Sequence, residues 1–122
     1  MCAQVFKDNI NFQADQVFQN AQNFLGTNGA INPSLPAFYV ITKAGVLAMT
    51  LAAPVVGADE GKIIGISSNT ANAHTVTATG LFNTGSASVN LATFAAFAGA
   101  GFQVMAVQGK WNVLSSVGIT FS

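Results

Sequence analysis

The strongest constraint on folding is a series of short segments in which β-branched or aromatic residues alternate with polar ones. The clearest is residues 73–79, AHTVTAT, where threonine occupies every second position from 75. An alternation of period two places one set of side chains on each face of a strand. The segments are 38–42, 46–51, 62–67, 73–79, 102–107, 110–115 and 117–121, and turns that contain glycine or proline separate most of them.

Many short strands joined by glycine-containing turns are typical of sandwiches and barrels. We therefore predict a mainly β fold, in the form of a compact antiparallel β-sandwich or barrel of jelly-roll type. The dipeptide Gln108-Gly109 lies between two of the predicted strands. A two-residue connection of this kind predicts a tight β-hairpin.

The composition of the chain changes near Pro36. Residues 1–35 are rich in Asn and Gln, whereas residues 36–122 are rich in Val, Ile, Thr, Ser, Ala and Gly. We predict an N-terminal arm over 1–35 and a β domain over 36–122. Apolar residues near the end of the arm have helical spacing, which predicts a short helix over 14–25 with Gly26 as its cap. An extended arm is the alternative, because phenylalanines six residues apart would share one face of a strand.

The aromatic residues of the arm need a surface to pack on, whichever form the arm takes. We therefore predict that the arm and the single tryptophan contribute to an interface with other protein subunits. The candidate interface residues are Phe6, Phe12, Phe18, Phe24, Leu25 and Trp111.

Charge is scarce in this chain. Charged residues make up 7% of the sequence, against about 25% in an average globular domain, and there is no arginine. Nucleic-acid binding depends on Lys and Arg that neutralise phosphates, so we expect no nucleic-acid partner. The longest apolar stretch, 91–107, is shorter than a spanning helix and contains Gly99 and Gly101, so we expect no membrane segment. Low charge at zero net charge instead favours association with other protein copies.

The residues that could carry chemistry are few. His74 is the single histidine, and we interpret it as a strand histidine that is hydrogen-bonded to backbone or to a neighbouring subunit. Asp59 and Glu60 form the only adjacent pair of acids, which we interpret as the solvated tip of a turn. A metal site needs several ligands at suitable spacing, and a nucleophilic triad needs a serine elbow with a histidine. We predict that the protein is not an enzyme and has no catalytic residues, metal or cofactor.

Four stretches, spread over residues 42–122, resemble a β-rich module of tailed-phage virion proteins. They are GVLAMTLAAP at 45–54, EGK at 60–62, AHTVT at 73–77 and GKWNVLSS at 109–116. The resemblance is to head-decoration, or cement, proteins and to some tail-associated proteins. It implies a compact module, often trimeric, that lies over capsomer junctions and bridges major capsid subunits. Localisation on the capsid surface after assembly in the host cytoplasm, and an arm that binds neighbours, are also implications of this resemblance.

Two other functions stay open at the level of the sequence. The first is a tail, fibre or baseplate module, which is also structural. The second is a small ligand-binding β-barrel, in which His74 would be the residue to test.

Overall fold

The computed structural model describes residues 22–35, 37–85 and 87–122, and within them every regular element is a β-strand. This confirms the prediction of a mainly β fold. The ten strands are β1 (Gln22–Leu25), β2 (Gly29–Ile31), β3 (Ala37–Ile41), β4 (Ala48–Leu51), β5 (Ile63–Ser68), β6 (Thr75–Asn83), β7 (Ser88–Phe94), β8 (Gly101–Val107), β9 (Lys110–Val117) and β10 (Ile119–Phe121).

The first six strands form a coil of three turns. Successive turns stack in parallel, so that β1, β3 and β5 lie side by side and β2, β4 and β6 form a second parallel row. Gln22 is paired with Phe38, and Ala37 with Ile64. Within the coil, each strand from β3 to β6 therefore pairs with the strand two places earlier in the chain.

The last four strands close the coil with mostly antiparallel pairs. Strand β7 returns along β6, β8 returns along β5, and β9 and β10 pair with β8 and β7. Strand β6 changes partner along its length, because its first half lies beside β4 and its end lies beside β9. The change occurs at an irregularity between Thr77 and Phe82, where Gly80 has a φ of 70°.

The antiparallel detail of the predicted fold is therefore wrong. Five of the nine strand pairings among the described residues are parallel, and all ten strands belong to one curled, mixed sheet. The physical reason is that alternation records which face of a strand is buried and not which strand lies beside it.

Two predictions concern the N-terminal part of the chain. Residues 22–25 are the end of the predicted helix, and they form β1 instead of a helical turn because they pair with β3. The rest of that prediction, 14–21, lies outside the described residues. Strands β1 and β2 precede Pro36 and are part of the sheet, so the change in composition does not coincide with a sheet boundary. The division at 35/36 stays a prediction, since an arm can also dock on the sheet that follows it.

The core lies between the two facing parts of the curled sheet. At its centre, Phe102 of β8 makes edge-to-face contacts with Phe82 of β6, Phe94 of β7 and Phe121 of β10, at ring-centroid distances of 5.8, 5.9 and 5.7 Å. Such pairs contribute about 0.5–1.5 kcal/mol each beyond the burial of their area. The cluster thus joins the antiparallel strands to the coil.

The predicted hairpin at 108–109 is confirmed. Lys110 pairs with Val107, and Gln108 and Gly109 have φ values of 52° and 80°. Two consecutive residues with positive φ define the turn type that matches the twist of a hairpin. The strand β7 ends at Phe94, and the turn that follows it, 95–99, is exposed.

Candidate functional site

His74 is completely buried and uses both ring nitrogens within the fold. The backbone N–H of Leu47 donates to Nδ1 at 3.0 Å, which leaves the ring proton on Nε2, where it faces Thr70 Oγ1 at 2.8 Å. Burial lowers the pKa of His74 below its ordinary 6.5, and the charge of Lys43 acts in the same direction. The neutral ring therefore ties the start of β4 to the turn before β6, which agrees with the interpretation of a histidine bonded to backbone.

Asp59 is also buried, which differs from the solvated turn tip that the sequence analysis predicts. Its Oδ2 accepts hydrogen bonds from Val55 N–H at 2.7 Å and Ser34 Oγ at 3.3 Å, and its Oδ1 lies 3.0 Å from Lys62 Nζ. The bond from the Val55 N–H is the largest of the contacts that lower the pKa of Asp59. The carboxylate therefore holds the turn in place, because the turn's own N–H group is one of its donors.

The neighbouring charges have similar structural partners. Glu60 accepts hydrogen bonds from the Gln108 N–H with both carboxylate oxygens, at 3.0 and 2.9 Å, and so joins its turn to the β8–β9 hairpin. Lys110 Nζ donates to the carbonyl of Gly80 at 3.0 Å. Within the described ranges, no group of three or more His, Cys, Asp or Glu side chains could hold a metal ion.

The predicted interface residues have different places in the structure. Phe6, Phe12 and Phe18 lie outside the described residues, and Phe24 lies in β1, in register with Val40 of β3. Leu25 is half-buried and packs against the core.

Trp111 has no exposed surface. Its indole N–H donates to the carbonyl of Ala52 at 2.9 Å. In this structure Trp111 is a core residue, and none of its surface is available to a second chain.

An open groove lies on the outer face of four neighbouring strands, β3, β5, β8 and β9. Its volume is about 520 Å³. We call it the outer-face groove. Two rows of paired residues cross it, and the described residues that line it carry no charge. The rows are Phe38–Gly65–Gln103–Ser115 and Val40–Ser67–Gly101–Val117.

The outer-face groove was not predicted from the sequence. Its residues are uncharged and lie at alternate positions of separate strands, and only the register brings them together. The one available signal was glycine inside a predicted strand, at Gly65, because such a glycine often marks a close approach to the backbone.

Large apolar side chains are exposed at the edge of the groove and elsewhere on the surface. Val117, at the edge of the groove, is 61% exposed, and Phe97 lies over Gly118 next to it. Single exposed apolar residues are normal, but contiguous ones mark interaction surfaces. The others with high exposure are Leu35, Val46, Val55, Val56 and Leu114.

A second open cavity, of about 740 Å³, lies at the end of the β6–β7 hairpin and has a polar lining. Its polar side chains bind one another: Ser88 Oγ donates to Asn83 Oδ1 at 2.8 Å, and Asn83 Nδ2 donates to Asn112 Oδ1 at 3.0 Å. These bonds join β6, β7 and β9, which gives the polar groups a structural function.

The chain matches no protein-family model and no curated protein. In the described part of the chain, no helix has the length and apolar character that crossing a membrane requires.

Proposed function

We propose that this chain is a structural protein of a phage particle, and specifically a capsid decoration protein that bridges and stabilises major capsid subunits by non-covalent packing. One observation carries the proposal. Four of the charged groups, Asp59, Glu60, Lys62 and Lys110, bind the chain's own backbone, while the outer-face groove is uncharged. A surface of this kind is suited to contact with protein and offers little to a charged ligand.

The exposed apolar residues support the same proposal. Val117 and Leu114 of β9 are 61% and 48% exposed, and Val56 is 67% exposed. Burial of apolar area contributes about 25 cal/mol per Å², so contact with neighbouring subunits would stabilise an assembly. The proposed location on a phage particle rests on the stretches that resemble virion β modules. For a cement protein, this resemblance implies a trimer on the outer surface of the capsid.

The test uses phage particles from cells that carry the gene for this chain. We would purify them on a density gradient and label them with gold-conjugated antibody against the chain for electron microscopy. Decoration predicts a label spread over the heads, and heads that lack the chain should lose their DNA at a lower temperature. Absence of the chain from purified particles would overturn the proposal.

A tail or fibre module is the second candidate, and the parallel coil favours it. Coils built from stacked turns extend in one direction and suit elongated assemblies. The same labelling experiment separates the two functions, because a fibre or baseplate module would be labelled at the tail only.

A further inference from the structure

The outer-face groove has no charged side chain among its described residues, and its polar side chains are short serines together with Tyr39 and Gln103. Gly65 and Gly101 lie in its two rows, so neither position contributes a side chain to the groove. The Phe38 ring lies against Gly65, where a Cβ atom would overlap the ring. A Cβ at Gly101 would lie 2.5 Å from the carbonyl oxygen of Ile66. The depth of the groove therefore depends on packing that excludes side chains at both positions.

The dimensions of the groove suit an aromatic side chain. Four strands at a spacing of about 4.8 Å give a floor roughly 14 Å across. Val40 and Val117 stand at opposite ends of one row and form apolar rims. The apolar rims and the absence of charge fit a segment with apolar side chains. The serines and Gln103 of the groove can form hydrogen bonds with amide side chains of such a segment.

Residues 1–21 of this chain combine apolar and amide side chains, and their only charged residues are Lys7, Asp8 and Asp15. They contain Phe6, Phe12 and Phe18, with Asn and Gln among the residues between them, and they precede β1 directly. Twenty-one residues can span up to roughly 70 Å when extended. The segment is therefore long enough to reach a neighbouring molecule.

The direction of β1 favours the groove of a neighbour over the segment's own groove. Gln22 lies level with Phe38, and β1 runs parallel to β3 toward Ile41. The N-terminal end of β1 therefore lies at the Phe38 end of the groove. A segment that leaves at this end has to reverse direction to cover its own groove, whereas a second copy can meet it without such a reversal.

We propose that residues 1–21 of one copy dock in the outer-face groove of a second copy, with phenylalanine side chains beside the Phe38 ring and over the backbone at Gly101. This inference rests on the proposed function for its biological context and adds the contact that joins the subunits. Because the contact joins two different surfaces, repetition of it generates a closed ring such as a trimer, or an open chain.

The test uses the full chain with two groove variants, Ser67→Arg and Ser115→Arg. Both serines are exposed and lie in the groove on different strands. The matched control is Thr50→Arg, an exposed outward position on β4, outside the groove. A fourth variant replaces Phe6, Phe12 and Phe18 by serine. Circular dichroism and thermal melting identify variants that fold like the parent.

The readout is molar mass by sedimentation against concentration. We expect the parent and Thr50→Arg to self-associate, and the groove variants and the phenylalanine variant to associate at least about tenfold more weakly. The decisive measurement is a mixture of Ser67→Arg with the phenylalanine variant. One supplies the segment and the other supplies the groove, so the mixture should form a one-to-one complex that neither forms alone.

A monomeric parent, groove variants that associate like Thr50→Arg, or a mixture that stays monomeric would each overturn the inference. If Ser67→Arg failed to fold, Ser115→Arg would take its place in the mixture. These results are independent of particles. Self-association as expected, combined with absence of the chain from purified particles, would refute the proposed function and leave the docking contact standing.

Discussion

Gly101 provides a sharp test of the packing between β5 and β8. In Gly101→Ala, the new Cβ would lie 2.5 Å from the Ile66 carbonyl oxygen and 3.0 Å from the Cα of Ser67. Ordinary contact begins near 3.4 Å, so the two strands must separate by about 0.9 Å at this point. Both contacted atoms belong to backbone in the middle of the sheet, where a rotamer change cannot relieve the overlap.

Overpacking of this kind costs about 1–3 kcal/mol. At an unfolding entropy of about 2.1 cal/mol/K per residue, 1 kcal/mol corresponds to roughly 4 °C in a chain of 122 residues. We therefore expect Gly101→Ala to melt about 4–12 °C below the parent in a calorimetric scan. The matched control is Gly29→Ala in β2, where a Cβ meets nothing within 4 Å. Equal melting temperatures for the two variants would refute the packing argument.

Other predictions concern the core and the buried titratable groups. Trp111→Phe leaves the Ala52 carbonyl without its indole donor, so we expect a loss of about 1–3 kcal/mol in urea unfolding, and a loss below about 0.5 kcal/mol would contradict this. His74 has a lowered pKa in the folded state. The contribution of its neutral ring to the free energy of unfolding is therefore complete above pH 6.5 and is lost as the pH falls through the folded pKa. Urea unfolding between pH 7.5 and 5 should show this fall, and His74→Gln should flatten it; the same slope in both proteins would be evidence against it. Asp59 has a lowered pKa too, so its stabilisation is complete above pH 3.8 and is lost below it. Asp59→Asn should reduce stability at pH 7 and remove this acid step, and a retained step would assign it to another group.

The strands themselves could be predicted because their signal is local. The alternation in 73–79 predicted the start of β6, and the Gln108-Gly109 dipeptide predicted the hairpin between β8 and β9. The helix predicted over 14–25 was wrong at 22–25, because hydrogen bonds to β3 outweigh a weak helical preference in a short segment. The burial of Asp59 was also missed, since its donors at Ser34 and Val55 come from two different loops.

The outer-face groove could not be predicted, for a related reason. Gly65 and Gly101 are 36 positions apart in the sequence, and only the β5–β8 register brings them into adjacent rows of one face. No single strand carries the pattern. Trp111 was predicted as an interface residue for a similar reason. A single tryptophan in a sequence indicates a packing anchor, but only the fold decides whether it packs in the chain's own core, where Trp111 is buried, or against a partner.

The sequence by itself determined that this chain is built from strands, that one face of each is apolar, and that its few charges leave little material for a charged binding site. These properties follow from alternation and composition, which act over a few residues at a time. Tertiary structure alone decided that the first six strands stack in parallel as a coil, that Trp111 fills the core, and that residues of four strands line one open, uncharged groove. The reason is that strand pairing is a long-range choice, made by which apolar faces can be buried against one another at the same time.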